Sequence, residues 1–134
     1  MVRQIDEKTL VSGQIQPGDL SQLKAEGVTL IVNNRPDGED SDQPASAEIE
    51  AAAKAAGIAY RYVPIVRGIG PSDVEAVQEA MAAADGKMLM FCRTGNRSSL
   101  AWAVAKRRQG ASIEELERAA AAAGIDLSPV AHLL

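Results

Sequence analysis

A lone cysteine, followed by a glycine and two arginines, gives one stretch of this chain the means to do chemistry. The segment MLMFCRTGNRSSLAWAVAKRRQG covers residues 88–110 and contains the only cysteine of the sequence, Cys92. A short apolar run precedes Cys92, and an alanine-rich pattern of helical period runs from Ser98 to Gly110. The segment therefore predicts a strand, a loop that carries Cys92, and a helix.

The loop after Cys92 has the composition of an anion-binding site. Peptide N–H groups at a helix start lack partners and carry partial positive charge, so they bind anions. Arg97 adds a guanidinium that can hold an oxyanion with two donors. Because such surroundings favour a reactive thiolate, Cys92 is predicted to be a nucleophile and Arg97 its anion-binding partner. The other residues predicted to help hold the anion are Arg93, Thr94, Gly95, Asn96 and Ser98.

Ser98 allows two interpretations. A serine directly before a helical pattern is typical of an N-cap. Alternatively, the hydroxyl of Ser98, or that of Ser99, could stabilise the thiolate when it acts as a leaving group.

The elements that must position this loop alternate between strand and helix. Alternation of this kind favours a parallel sheet with helices on both faces and ligands outside the carboxyl ends of the strands. We expect one α/β domain over residues 1–134, with three layers and a central, mostly parallel sheet of about four to five strands. Strands are predicted at 28–32, 58–65 and 88–91, an edge hairpin or a bent strand at 2–12, and helices at 17–27, 46–56, 72–84, 98–110 and 112–124.

Two polar loops follow predicted strands and should lie at the same sheet edge as Cys92. The first, residues 33–44, contains Asp37, which could serve as a general acid or merely belong to a Pro-Asp-Gly turn. Its Arg35 could contact an anionic substrate, and Glu39 is a weaker candidate acid. The second loop, residues 66–72, contains no acid.

Composition excludes several classes of partner. The formal net charge of −4 argues against a nucleic-acid surface, which needs a clustered positive field. One cysteine cannot form an internal disulfide, and no apolar run is long enough for a membrane span, so a cytoplasmic protein is expected. No cluster of metal-ligand residues and no nucleotide fingerprint is present, and we expect no metal and no cofactor.

Several short motifs together resemble one known family. These are CRTGNRSS at residues 92–99, GQI at 13–15, NNRPDGE at 33–39 and the segment 57–64. They are similar to the phosphatase-like domain family of beta-lactamase hydrolase-like proteins, over nearly the whole chain. The resemblance implies a fold of the dual-specificity and tyrosine phosphatase type, and members of the family are described as phosphatases or as sulfurtransferases.

The sequence departs from the phosphatase signature in its cysteine loop. Phosphatases of that superfamily resemble one another in a His-Cys pair, five further residues and an arginine, whereas here Phe91 precedes Cys92 and four residues separate Cys92 from Arg97. A loop this short is also similar to rhodanese active sites, which hold one sulfur atom.

Three functions are consistent with the sequence. The first is hydrolysis of a phosphate monoester through a phosphorylated Cys92, with Asp37 or water as the proton donor. The second is rhodanese-like sulfur transfer through a Cys92 persulfide, with a sulfur-metabolism or redox enzyme as partner. The third is a non-catalytic module that binds small anions.

Overall fold

A five-stranded sheet forms the centre of the structure and places the cysteine strand in its middle. The computed structural model describes residues 2–134. The strands are β1 (Val2–Gln4), β2 (Thr9–Ser12), β3 (Val28–Asn33), β4 (Ala59–Tyr62) and β5 (Lys87–Phe91). Their order is β1-β2-β5-β3-β4; β1 is antiparallel to β2, and the other pairs are parallel. The predicted α/β class, mostly parallel sheet and N-terminal hairpin are confirmed.

Five α-helices cover the sheet. They are α1 (Leu20–Ala25), α2 (Ser46–Ala55), α3 (Pro71–Ala83), α4 (Asn96–Arg108) and α5 (Ile113–Ala123), with 3-10 turns at Pro17–Asp19 and Ser128–Leu133. The apolar residues of α1 and α2 pack on one face of the sheet, and those of α3, α4 and α5 pack on the other. The three predicted layers are therefore present.

The side chains of β5 alternate between the two hydrophobic cores on opposite faces of the sheet. Met88 and Met90 belong to the larger core, whereas Leu89 and Phe91 belong to the smaller one. Successive strand side chains point to opposite faces, so a continuous apolar run is what a strand covered on both sides requires. Trp102 of α4 is buried in the larger core, and its indole N–H donates to Asp6 Oδ2 at 2.9 Å.

Several predicted boundaries are wrong by a few residues. Helix α4 begins at Asn96, not at Ser98, because Gly95 adopts a left-handed φ of +95° and turns the chain into the helix early. Helix α3 begins at Pro71, one residue before the predicted start, and the carboxylate of Asp73 in its first turn accepts from the Gly70 N–H at 2.9 Å. Proline suits the first helical position because its missing N–H is not needed there.

Strand β4 is also shorter than predicted, ending at Tyr62. Beyond Tyr62, the Val63 N–H donates to the backbone carbonyl of Asn33 at 2.8 Å, and the Ile65 N–H donates to that of Asn34 at 3.0 Å. Pro64 lies between them and has no N–H, so the regular ladder cannot continue through it. Within residues 2–134, no helix combines the length and apolar character needed to cross a membrane.

Candidate active site

Cys92 lies at the carboxyl end of the central strand, directly before helix α4. Cys92 is 1% exposed, and the Gly95 N–H donates to the Cys92 Sγ at 3.1 Å. The thiol therefore faces a backbone donor at the start of a thirteen-residue helix. A helix N-terminus carries partial positive charge, so the Cys92 side chain lies where a bound anion is favoured.

Strand β2 and the segment after it support the loop from behind. The Gln14 N–H donates to the Arg93 carbonyl at 3.3 Å, and the Cys92 N–H donates to the Ser12 carbonyl at the same distance. A Cβ on Gly13 would approach the Arg93 carbonyl oxygen to 2.9 Å, closer than a side chain tolerates. The glycine of the GQI motif thus allows two backbone segments to touch, which fixes the position of the cysteine loop.

Arg97 projects from the first turn of α4 and is held by Glu39, from the loop after β3. Its Nη1 donates to Glu39 Oε2 at 2.7 Å and its Nη2 to Glu39 Oε1 at 2.8 Å, a bidentate ion pair. Nη1 also donates to the Ile65 carbonyl at 2.8 Å. Of the five guanidinium N–H donors, three are thus engaged. Within residues 2–134, the Nε–H and the outer Nη2–H have no partner, and they share one edge of the guanidinium.

The two edges of the Arg97 guanidinium have different surroundings. Glu39 fixes the end of the guanidinium, and the Nε–Nη2 edge stays open to an anion with the two-donor geometry that phosphate oxygens accept. Hydrogen bonding to Glu39 raises the pKa of Arg97, and the nearby Cys92 raises it further, so the guanidinium remains charged.

Glu39 is itself kept ionised. Hydrogen bonds from Arg97, and secondarily from Arg35, hold the pKa of the Glu39 carboxyl below its ordinary value, against the opposing effect of burial. An ionised carboxylate at neutral pH is a poor proton donor. In this structure the Glu39 carboxylate holds the guanidinium groups of Arg97 and Arg35 in place.

Arg35 braces the same carboxylate from the other side. It is 4% exposed; its Nε donates to Glu39 Oε1 and its Nη1 donates to Gln14 Oε1, both at 3.0 Å. A buried arginine needs partners for its charge, and here it has a carboxylate and an amide oxygen. Arg35 thus links Glu39 to the segment that supports the cysteine loop.

A buried polar pair joins helix α4 to the end of β3. The Ser98 hydroxyl donates to Asn34 Oδ1 at 2.8 Å, and Asn34 Nδ2 donates to the Val63 carbonyl at 2.9 Å. Both residues are fully buried. Ser98 is therefore neither the N-cap nor a donor to Cys92, and Ser99 donates to the Gly95 carbonyl at 2.8 Å.

Comparison with known proteins assigns the chain to a family. Residues 1–109 match the family described as "Beta-lactamase hydrolase-like protein, phosphatase-like domain". The chain belongs to this family. The family that the short motifs resemble is thereby confirmed, and the domain is phosphatase-like.

Relatives of this phosphatase-like domain include longer proteins. A beta-lactamase hydrolase-like protein of Xylella fastidiosa is 34% identical over 125 residues, which are 92% of this chain and 29% of that protein. The chain therefore spans under a third of that relative. A candidate phosphatase of Neisseria meningitidis, known from its crystal structure, is 33% identical with a TM-score of 0.82, over 95% of this chain and 91% of that one.

A more distant structure shares the fold. TpbA of P. aeruginosa, solved as a variant in complex with phosphotyrosine, is 20% identical with a TM-score of 0.62, over 96% of this chain and 86% of that one. This likeness confirms the tyrosine-phosphatase-like fold that the sequence predicts.

The predicted site residues of the phosphatase-like domain are partly brought together. Cys92, Gly95, Arg97 and Arg35 form one connected cluster through the contacts above. Arg93, Thr94 and Asn96 lie on the exposed side of the loop, where the Asn96 N–H donates to Thr94 Oγ1 at 3.3 Å.

Asp37 is tied to helix α2. Its Oδ1 accepts from the Ser46 N–H at 2.7 Å, and its own N–H donates to the Tyr62 hydroxyl at 2.9 Å. No hydrogen bond within the described residues joins Asp37 to the cysteine loop. Its carboxylate thus stabilises the start of a helix in this structure.

Three residues that hold the site in place were not predicted to do so from the sequence. Glu39 is predicted only as a weak acid candidate, and Gln14 and Asn34 are given no role. All three lie inside the short motifs GQI and NNRPDGE. The signal was that polar residues follow directly on buried strands, at the edge where Cys92 must also lie.

Proposed function

We propose that this domain hydrolyses phosphate monoesters with Cys92 as the nucleophile. The Cys92 thiolate attacks phosphorus, an S–P bond forms, and the P–O bond to the organic group breaks as the leaving oxygen takes up a proton. Water then attacks phosphorus, the S–P bond breaks, and inorganic phosphate and the thiolate are released.

The observation that supports this proposal is the open edge of Arg97 beside Cys92. Glu39 holds the Arg97 guanidinium through two hydrogen bonds, which leaves the Nε–H and one Nη2–H of Arg97 available near the N-terminus of α4. Both donors and the loop amides can then bind phosphate oxygens, whose charge they stabilise as the reaction proceeds. The complex of TpbA with phosphotyrosine provides a parallel for a phosphate monoester in this fold.

Variants of Cys92 and Arg97 test this proposal in an aryl phosphate assay. Cys92→Ser should abolish phosphate release, and Arg97→Lys should lower kcat/KM by about a hundredfold or more, since an ammonium lacks the paired donors. Arg118→Lys, an exposed arginine on α5, is the matched control. Full activity of Cys92→Ser would refute the mechanism.

The proton donor is tested through the leaving group. Asp37 is the proposed acid, although its carboxylate accepts from Ser46, and water is the alternative. If Asp37 protonates the leaving oxygen, Asp37→Asn should slow hydrolysis of phenyl phosphate far more than that of p-nitrophenyl phosphate, whose anion leaves without help. Equal losses for the two substrates would exclude Asp37 as the acid.

Sulfur transfer is a second candidate function, and one observation favours it. Glu39, the carboxylate that contacts Arg97, is held ionised, and persulfide chemistry needs no acid as strong. The Cys92 thiolate would take the outer sulfur of thiosulfate with release of sulfite, and would pass it to a thiol of a sulfur-metabolism or redox enzyme. Incubation with thiosulfate followed by intact-mass measurement decides: a one-sulfur adduct without phosphatase activity favours transfer, and phosphate release without an adduct favours hydrolysis.

A cytoplasmic location is also proposed, because either reaction requires a reduced Cys92. Acid quenching of cells followed by thiol labelling should find this cysteine reduced. A predominantly oxidised Cys92 would contradict the location.

A further inference from the structure

Arg97 also lines a cavity of about 410 Å³. Its walls come from the loop before α3, from the first turns of α4 and from the C-terminal 3-10 turn Ser128–Leu133. The mechanism above uses Arg97 but none of the other walls. The cavity is therefore a feature of the site whose role is open.

The lining combines apolar walls with basic groups. The apolar residues include Ile65, Ile69, Leu100, Val130 and Leu133. The basic residues are Arg67, Arg97 and His132, and no carboxylate belongs to the lining contributed by residues 2–134. Apolar walls with a few convergent polar groups are typical of small-molecule sites, and the excess of positive charge suits an anionic molecule with an apolar body.

Arg97 connects this cavity to the reaction site. Arg97 interacts with Cys92, and its Nη1 donates to the carbonyl of Ile65, which also lines the cavity. Its Nε–Nη2 edge has no hydrogen-bond partner within residues 2–134. A molecule whose phosphate occupies that edge can extend its organic part along the guanidinium and into the cavity. The same side chain would thus contact both ends of one ligand.

We infer that this cavity binds the apolar organic group of the substrate, so that the domain selects phosphate monoesters of alkyl or aryl alcohols over small polar ones. The inference rests on the proposed phosphatase function for its anion site. It adds the substrate class, which is set by apolar lining residues such as Ile69 and Leu133 rather than by the cysteine loop.

A series of n-alkylphosphonates from ethyl to hexyl tests the inference without turnover, because their P–C bond is not hydrolysed. Isothermal titration of the wild-type chain should give a Kd that falls about fourfold for each added methylene, which is the gain for burying a CH₂ group. Ile69→Asn and Leu133→Asn should each flatten this dependence. Ile113→Asn, which alters an exposed isoleucine on α5 outside the cavity, is the matched control and should keep the wild-type slope.

The outcomes separate the two proposals. Binding of every phosphonate with the same Kd would overturn the cavity assignment and leave the anion site standing. A wild-type slope retained in both Ile69→Asn and Leu133→Asn would also overturn it. No binding of any phosphonate would refute the anion site, and the cavity assignment with it.

Discussion

Replacement of Glu39 by glutamine tests whether this carboxylate orients Arg97 or blocks it. In the structure Glu39 accepts two hydrogen bonds from Arg97, at 2.7 and 2.8 Å, and one from Arg35, at 3.0 Å. An obstructing carboxylate would compete with the substrate, and its removal would raise activity. An orienting carboxylate would hold the open edge in place, and its removal would lower activity.

Two opposing effects decide whether Glu39→Gln raises or lowers kcat/KM. Glutamine removes a negative charge that would repel a bound phosphate, a gain of about 0.7 kcal/mol for charges roughly 6 Å apart in water. It also weakens hydrogen bonds between charged groups, each of which contributes about 1.5–3 kcal/mol, with a discount because the Glu39 side chain is 27% exposed. Loss of orientation outweighs the relief of repulsion, so Glu39→Gln should lower kcat/KM by about 5- to 30-fold.

The assay is hydrolysis of p-nitrophenyl phosphate, with kcat and KM measured separately. Glu79→Gln, an exposed glutamate on α3 with no contact to the site, is the matched control. A rise in kcat/KM for Glu39→Gln would refute the orienting role and identify Glu39 as an obstruction. An unchanged kcat/KM would show that Arg97 keeps its position without this ion pair.

Three further outcomes are expected. Because the folded-state pKa of Glu39 lies below 4.5, its contribution to the free energy of unfolding should be present above pH 4.5 and fade as pH falls through the lower value; a wild-type advantage over Glu39→Gln that persists at about pH 2 would contradict this. Ser98→Ala should cost about 1–3 kcal/mol in urea unfolding, since it leaves the buried Oδ1 of Asn34 without a donor, and no loss would contradict that contact. Gly95→Ala should destabilise more than Gly38→Ala, because both have positive φ but only Gly95 packs on the backbone of β2; equal costs would count against the packing.

The sequence determines the framework of the site well because the signals there are local. Apolar runs, turn residues and the glycine stop after α4 each depend on a few neighbouring residues, and they predict the order of strands and helices. The position of Cys92 at the carboxyl end of a central strand follows from that order. The start of α4 does not, because the positive φ of Gly95 was needed to see that the helix begins before Ser98.

The pairing of side chains could not be predicted from local signals. Glu39 and Arg97 are 58 residues apart in the chain, and Ser98 and Asn34 are 64 apart. Nothing in the spacing says which acid of the loop after β3 reaches the arginine, since Asp37 lies only two residues from Glu39. The choice depends on how the loop folds back, with Asp37 turned to the start of α2 and Glu39 turned to Arg97.

The strand order affects how the chain folds during synthesis. Strand β5 lies between β2 and β3, so the two earlier parts of the sheet do not pair with each other. During synthesis the chain must make about ninety residues before the strand that joins these parts emerges, and such non-local pairing is slow. Cys92 directly follows that strand. The chain therefore gains its one cysteine only in the step that completes its sheet, and a prematurely ended chain that lacks β5 carries neither a joined sheet nor a cysteine.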